Sequence, residues 1–300
     1  MNLTRLGAAS VLLAGLFGCA SAPPIETPEL TMTVPDEWTG GALASGVVSP
    51  AWWTDFGDDA LSATIETAVE QNYDLQAAAA RLELAAADAR VAGGALMPSL
   101  QASYNSIRRK QNFIGFPIPG AEDRVLSTVF TNHSSAIDVS WEIDLWRKLR
   151  AGEQASLADL QRSAADLRGA QLSIAGQTAK TWFAIAEAQQ QVELSEATVN
   201  NFRQSAERVR DRFESGVRPA LDLRQSLLNL SNAEAQLAQR YQQLDAAKRQ
   251  LDVLLGRYAD GQVTAPDNLP ETPVAIPAGL PADLVARRPD LVAAERSVAA

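Results

Sequence analysis

The sequence predicts a mainly α protein with long coiled-coil helices and a minor share of membrane-type β-strand. Three observations predict it. No proline occurs between Pro119 and Pro219, and the residues from about Arg147 to Glu214 are unbroken helix formers; at 1.5 Å per residue such a helix is on the order of 100 Å long. After Pro219, Leu223, Leu230, Leu237, Leu244 and Leu251 recur every seven residues, the period of a coiled-coil seam. Upstream, SSAIDVSWEIDLW (134–146) alternates apolar and polar residues, and period two separates faces only in a strand.

Composition narrows the function. The chain has 300 residues and a formal charge of −10, from 26 basic and 36 acidic side chains. That balance argues against a nucleic-acid partner. One Cys and one His leave no internal disulfide, and a Cys/His zinc site or a Ser-His-Asp triad would rest on His133 alone. No nucleophile–base pair is evident, so no catalytic residue, metal or cofactor is expected.

The chain opens with an export signal. Residues 1–18 carry Arg5, an apolar stretch from Leu6 to Phe17, then small residues; this is too short to span a bilayer. Leu16-Phe17-Gly18-Cys19 resembles a bacterial lipoprotein signal, which implies lipidation of Cys19. Residues 19–57 are rich in Pro, Thr and Glu and are expected to be an extended tether.

A first repeat follows over 58–256. Asp58 or Asp59 caps a predicted helix over 60–93, with Leu61, Ile65, Ala68 and Leu75 at helical spacing. Gly93-Gly94 and Pro98 end it. A strand is predicted over 98–109, an outer loop over 110–133 with His133 at its end, and a second strand over 134–146. In that second strand Ile137, Val139, Trp141 and Ile143 point one way, toward lipid if the strand is in a membrane. Asp138, Ser140, Glu142 and Asp144 point the other way, toward a wet lumen. A sandwich strand would alternate too, so periodicity alone leaves both settings open. Two strands cannot close a barrel, and lipid does not tolerate open edges, so a membrane setting requires oligomerisation.

The long helix is predicted over 147–215, with Val199, Phe202, Ala206, Val209 and Phe213 stepping 3, 4, 3, 4. Gly216 suits its left-handed cap, and Pro219 opens a returning helix over 219–256. The companion position of its leucine heptad is mixed: Leu227 and Leu255 are apolar, whereas Glu234, Tyr241 and Lys248 lie between them. A leucine-zipper DNA binder is excluded, because the arginines near the heptads are interleaved with acids and Pro219 interrupts the helix.

A Pro- and Gly-rich connector spans 257–281, and residues 282–300 start a second repeat. At an offset of 216 (290 minus 74), Asp74 aligns with Asp290, Leu75 with Leu291, and Ala77-Ala78 with Ala293-Ala294.

The ordered motifs resemble a family. They are W-W-x-x-F-x-D-x-x-L (52–61), N-x-D-L (72–75), S-W-E-x-D-L-W (140–146), G-V-x-x-A-L-D-L (216–223) and R-R-P-D-L (287–291). Together with the lipoprotein signal they resemble the TolC-like outer membrane factors of tripartite efflux pumps, in their lipoprotein branch. That resemblance implies a homotrimer in the outer membrane, lipid-anchored and extending into the periplasm. Its β-barrel is shared between protomers and continues into an α-helical coiled-coil barrel. A periplasmic adaptor and an inner-membrane transporter would feed a passive export conduit for small molecules and drugs. The resemblance also implies that Gly216 and Val217 form a hairpin tip that meets the adaptor. Asp222 would help close the periplasmic aperture. Family members carry a complete second repeat, so this chain is expected to be the N-terminal part of one. Two alternatives stay open: a coiled-coil lipoprotein scaffold or adaptor of the periplasm, and a truncated channel without function.

Overall fold

In the computed structural model, residues 49–113, 125–263, 269 and 285–300 are described; the signal segment, Cys19 and residues 20–48 of the tether lie outside them. After a 3-10 turn at Trp52–Phe56 the elements are α1 (Asp59–Gln71), α2 (Tyr73–Gly94), β1 (Ser99–Phe113), β2 (Leu126–Ser140), α3 (Lys148–Glu214), α4 (Ala220–Leu254) and α5 (Pro289–Ala299). Two compact units are present. One is Ala87–Leu157; the other joins the described residues up to Ala86 with Ala158–Ala300. No described helix is long and apolar enough to cross a membrane.

The second unit holds the core. Leu61 and Ile65 of α1, Leu75 of α2, Ile174, Trp182 and Ile185 of α3, and Leu251 and Leu254 of α4 form one buried cluster. Phe56 packs on Phe183 with ring centroids 5.3 Å apart. Asp58 starts α1: its Oδ1 accepts from the amides of Ala60 (2.9 Å) and Leu61 (3.0 Å), satisfying donors that the first turn leaves unpaired. Its Oδ2 accepts from the Trp182 indole Nε1 at 3.1 Å. One carboxylate thus caps a helix and fixes a core tryptophan.

The single helix predicted over 60–93 is two helices. Asn72 sits between them in an extended conformation (φ −63°, ψ 128°). Its side-chain Oδ1 accepts from the amides of Asp74 (2.9 Å) and Leu75 (3.2 Å), and its Nδ2 donates to the carbonyl of Leu254 (3.0 Å). A short amide side chain offers the backbone a competing set of hydrogen bonds, which alanine-rich periodicity does not reveal. The second occurrence of this element behaves comparably: α2 begins at Tyr73 and α5 at Pro289, again 216 apart (289 minus 73). There Arg288 stands in the place of Asn72 and pairs with Asp290 at 2.7 Å, and that hydrogen bond holds the Asp290 carboxyl below its usual range.

Helices α3 and α4 run antiparallel with their heptads in register. Arg203 Nη2 donates to Glu234 Oε1 at 3.3 Å, and the Tyr241 hydroxyl donates to Glu196. The latter bond holds the phenol above its ordinary pKa. These two contacts are seven residues apart on each helix (241 minus 234, and 203 minus 196). They use two of the three polar residues that made the heptad companion position look defective.

The far end of α4 is locked to the α1–α2 junction. Gly256 has φ +68°, and a Cβ there would lie 2.3 Å from the carbonyl oxygen of Gln71. Asp252, 1% exposed, accepts from Arg257 Nε at 3.0 Å and from the Gly261 amide at 2.8 Å.

Candidate functional site

Two local structures carry the residues of functional interest. The first is the hairpin. Strands β1 and β2 pair antiparallel over fifteen residues each, from Ser99 opposite Ser140 to Phe113 opposite Leu126. Directly opposed residues share a face. One face therefore carries Leu100, Ala102 and Tyr104 with Val139, Ile137 and Ser135; the other carries Gln101, Ser103 and Asn105 with Asp138, Ala136 and Ser134. Both faces are exposed along the whole of β1. Ile137 is 74% and Val139 69% exposed, values that no core strand shows.

The second strand is displaced from its expected limits of 134–146. It is Leu126–Ser140, so Trp141, Glu142, Ile143 and Asp144 lie beyond its end. The register explains this. Trp141 would face Pro98, which has no amide to give to a ladder. Side-chain contacts take over instead: Trp141 Nε1 donates to the carbonyl of Leu96 at 3.2 Å. Asp144 accepts from the amides of Leu149 (3.2 Å) and Arg150 (2.9 Å) and so caps α3. The strict alternation continues past the strand because a capping Asp also reads as polar. Asp144→Ala is expected to cost about 1 kcal/mol through the lost cap, measured by thermal unfolding, with Asp144→Asn closer to the parent; equal stability of all three would refute the cap.

Both ends of the outer loop expected over 110–133 are strand, since β1 reaches Phe113 and β2 starts at Leu126; residues 114–124 lie outside the described residues. His133, expected in a loop, is in β2. Its ring stacks on Tyr104, and the Tyr104 hydroxyl meets His133 Nδ1 at 2.8 Å.

The second local structure is the turn between α3 and α4. The Val217 amide donates to the carbonyl of Arg212 at 2.8 Å and the Gly216 amide to that of Phe213 at 2.9 Å, with Gly216 at φ +71°. This is a Schellman-type stop, which glycine permits without a Cβ penalty. Val217 and Leu221 are exposed, at 71% and 73%. Asp222 pairs with Arg218, Nη1 to Oδ2, at 3.0 Å, a partner that the motif alone did not name.

Strand hairpin, long helical hairpin and glycine tip occur in one chain whose residues 64–257 match the outer membrane efflux protein family. The chain belongs to that family. Among curated relatives of this chain, the pyoverdine export outer membrane protein OpmQ of Pseudomonas putida is 28% identical over 319 residues, covering 100% of the chain and 64% of OpmQ. Nodulation protein T of Rhizobium leguminosarum is 25% identical, covering 95% of the chain and 60% of its own length. The chain thus spans less than two thirds of these relatives. The fold recurs in the Campylobacter jejuni CmeC outer membrane channel, with a TM-score of 0.76 at 23% identity over 93% of this chain and 60% of that one. A membrane protein of Pseudomonas aeruginosa superposes with a TM-score of 0.74 at 24% identity, over 94% and 62% of the two chains.

Proposed function

We propose that this chain is a protomer of a trimeric outer-membrane conduit that exports small molecules. It is tethered to lipid through Cys19 and fed by a periplasmic adaptor and an inner-membrane transporter. The observation that carries this reading is the hairpin. Two paired fifteen-residue strands, whose described side chains are exposed on both faces, are marginal alone in water. They exceed the roughly 9–11 residues a tilted strand needs to cross a bilayer, and lipid demands that their outer edges be paired by further strands. Family membership over 64–257 supports the same reading.

On this reading Ile137, Val139 and Leu100 face lipid, while Asp138 and Ser140 face the lumen with Gln101 and Ser103. Trp141, 58% exposed, and Ile143, 60% exposed, border the inner membrane surface, where tryptophan is favoured. A self-contained periplasmic scaffold would bury both. Glu142 lies just below the strand at the mouth of the lumen. Gly216 and Val217 form the adaptor contact, and the Asp222–Arg218 pair helps hold the aperture closed. The conduit performs no covalent chemistry and uses no cofactor, so substrate choice belongs to the transporter.

Deleting the gene is expected to lower the inhibitory concentrations of several dyes, detergents and antibiotics severalfold, with restoration by the intact gene. Unchanged sensitivity across the panel would overturn the export role. In reconstituted channels Asp138→Asn is expected to reduce the preference for cations.

A further inference from the structure

The upper half of the hairpin departs from a plain two-sided strand pair. Arg108 and Lys110 of β1 lie on the same face as Leu100, Ala102 and Tyr104, because side chains alternate along the strand. That is the face assigned to lipid. Opposite them stand Thr131 and Val129, and Asp138, the one carboxylate on the two strands, belongs to the other face. Both cations are exposed. Two positive charges on a lipid-facing surface, without an acidic neighbour on that face among the described strand residues, are costly in hydrocarbon. Their position along the strand removes the difficulty.

Strands of such barrels tilt by about 45° and carry an apolar band about 25 Å tall. Trp141 and Leu100 mark the inner edge of the band, next to the helix ends at Gly94 and Lys148 that belong to the same unit. From Leu100 to Lys110 is ten residues, about 34 Å along the strand and about 24 Å along the membrane normal at that tilt. Arg108 lies about 5 Å lower, within reach of a snorkelling guanidinium. Both cations therefore emerge at the outer edge of the band. Between the two edges, the Tyr104 hydroxyl and His133 Nδ1 pair at 2.8 Å on the same face.

We infer that Arg108 and Lys110 form a binding site for the phosphorylated headgroup of an anionic outer-leaflet lipid, of the lipid A type. The guanidinium supplies paired donors that match phosphate geometry, and the lysine supplies a point charge beside it. Leu100, Ala102 and Ile137 beneath offer an apolar surface to the acyl chains. This inference rests on the membrane assignment of the hairpin.

The test uses full-length protein in neutral phosphatidylcholine vesicles, titrated with diphosphoryl lipid A, with binding followed by retained lipid in native mass spectrometry. At about 1 kcal/mol for each basic residue at a charged surface, the double variant Arg108→Gln/Lys110→Gln is expected to bind on the order of 30-fold more weakly. Arg108→Lys should lose less. Dephosphorylated lipid A should bind parent and double variant alike. Equal affinity of parent and double variant for diphosphoryl lipid A would overturn the site. Displacement of the lipid by millimolar inorganic phosphate would also overturn it, since the site would then read free anion. Insertion and oligomer formation in the neutral vesicles are scored separately; their failure in the parent overturns the membrane assignment and is distinguishable from loss of lipid binding by the variant.

Discussion

Gly256→Ala is expected to destabilise the protein by more than about 3 kcal/mol and to loosen the join between α4 and the α1–α2 junction. Two terms add. The backbone at Gly256 is left-handed, φ +68°, which costs a residue with a Cβ about 1–2 kcal/mol. The new Cβ would also stand 2.3 Å from the carbonyl oxygen of Gln71 and 3.0 Å from its carbonyl carbon. Backbone atoms cannot rotate away as a side chain can, so a helix end must shift. That shift pulls the Leu254 carbonyl from Asn72 and disturbs the bonds that hold Asp252. Gly216 provides the internal control. Its φ is +71°, yet a Cβ there meets nothing within 4 Å. Gly216→Ala should therefore show the conformational term alone, about 1–2 kcal/mol. Equal losses for the two variants in denaturant unfolding would refute the close approach at Gly256.

Trp182→Ala is expected to cost about 3–5 kcal/mol, in the range of large aromatic truncations. Trp182 is 3% exposed and sits in the cluster that joins α1, α3 and α4. Truncation removes that contact area and leaves a cavity. Trp182→Phe separates the contributions: it keeps an aromatic ring and loses the indole donor to Asp58, for a loss of about 1 kcal/mol from the bond together with some packing. Asp58→Ala removes the same bond and the α1 cap. In a double-mutant cycle with Trp182→Phe the two losses should be less than additive. Strict additivity would show that the indole and the carboxylate act independently.

The sequence revealed the helical half of the fold more completely than the strand half, and the reason lies in particular residues. The ends of α3 and α4 were legible because a cap glycine and Pro219 punctuate a long run of helix formers, and a punctuation mark is local. The end of β2 depends on Pro98, which opposes Trp141 from the other strand, and a pattern read along one strand carries no information about its partner. Asn72 was legible as part of a motif, but its hydrogen bond to Leu254 spans 182 residues, and only the fold brings them together. The turn between α3 and α4 holds Gly216 in the left-handed region, yet the Arg218–Asp222 pair across the start of α4 was not foreseen, because Arg218 precedes the helix and its side-chain direction is set by the turn. Arg108 was expected in the first strand and Lys110 in the outer loop, and only the strand register puts both on the apolar face.

The cross-helix contacts of α3 and α4 also restrict how this protein can change in length. Glu196 and Arg203 on one helix meet Tyr241 and Glu234 on the other, so the two helices share one ruler read in opposite directions. An insertion in one helix alone would slide every later pair out of step and turn its leucine seam toward water. Only matched insertions of seven residues in both helices keep the pairs and the seam together. Each such step lengthens the hairpin by about 10 Å. Lineages that need to span gaps of different width should therefore differ in discrete, coupled increments on the two sides of the tip, and the residues of the tip itself should travel outward unchanged.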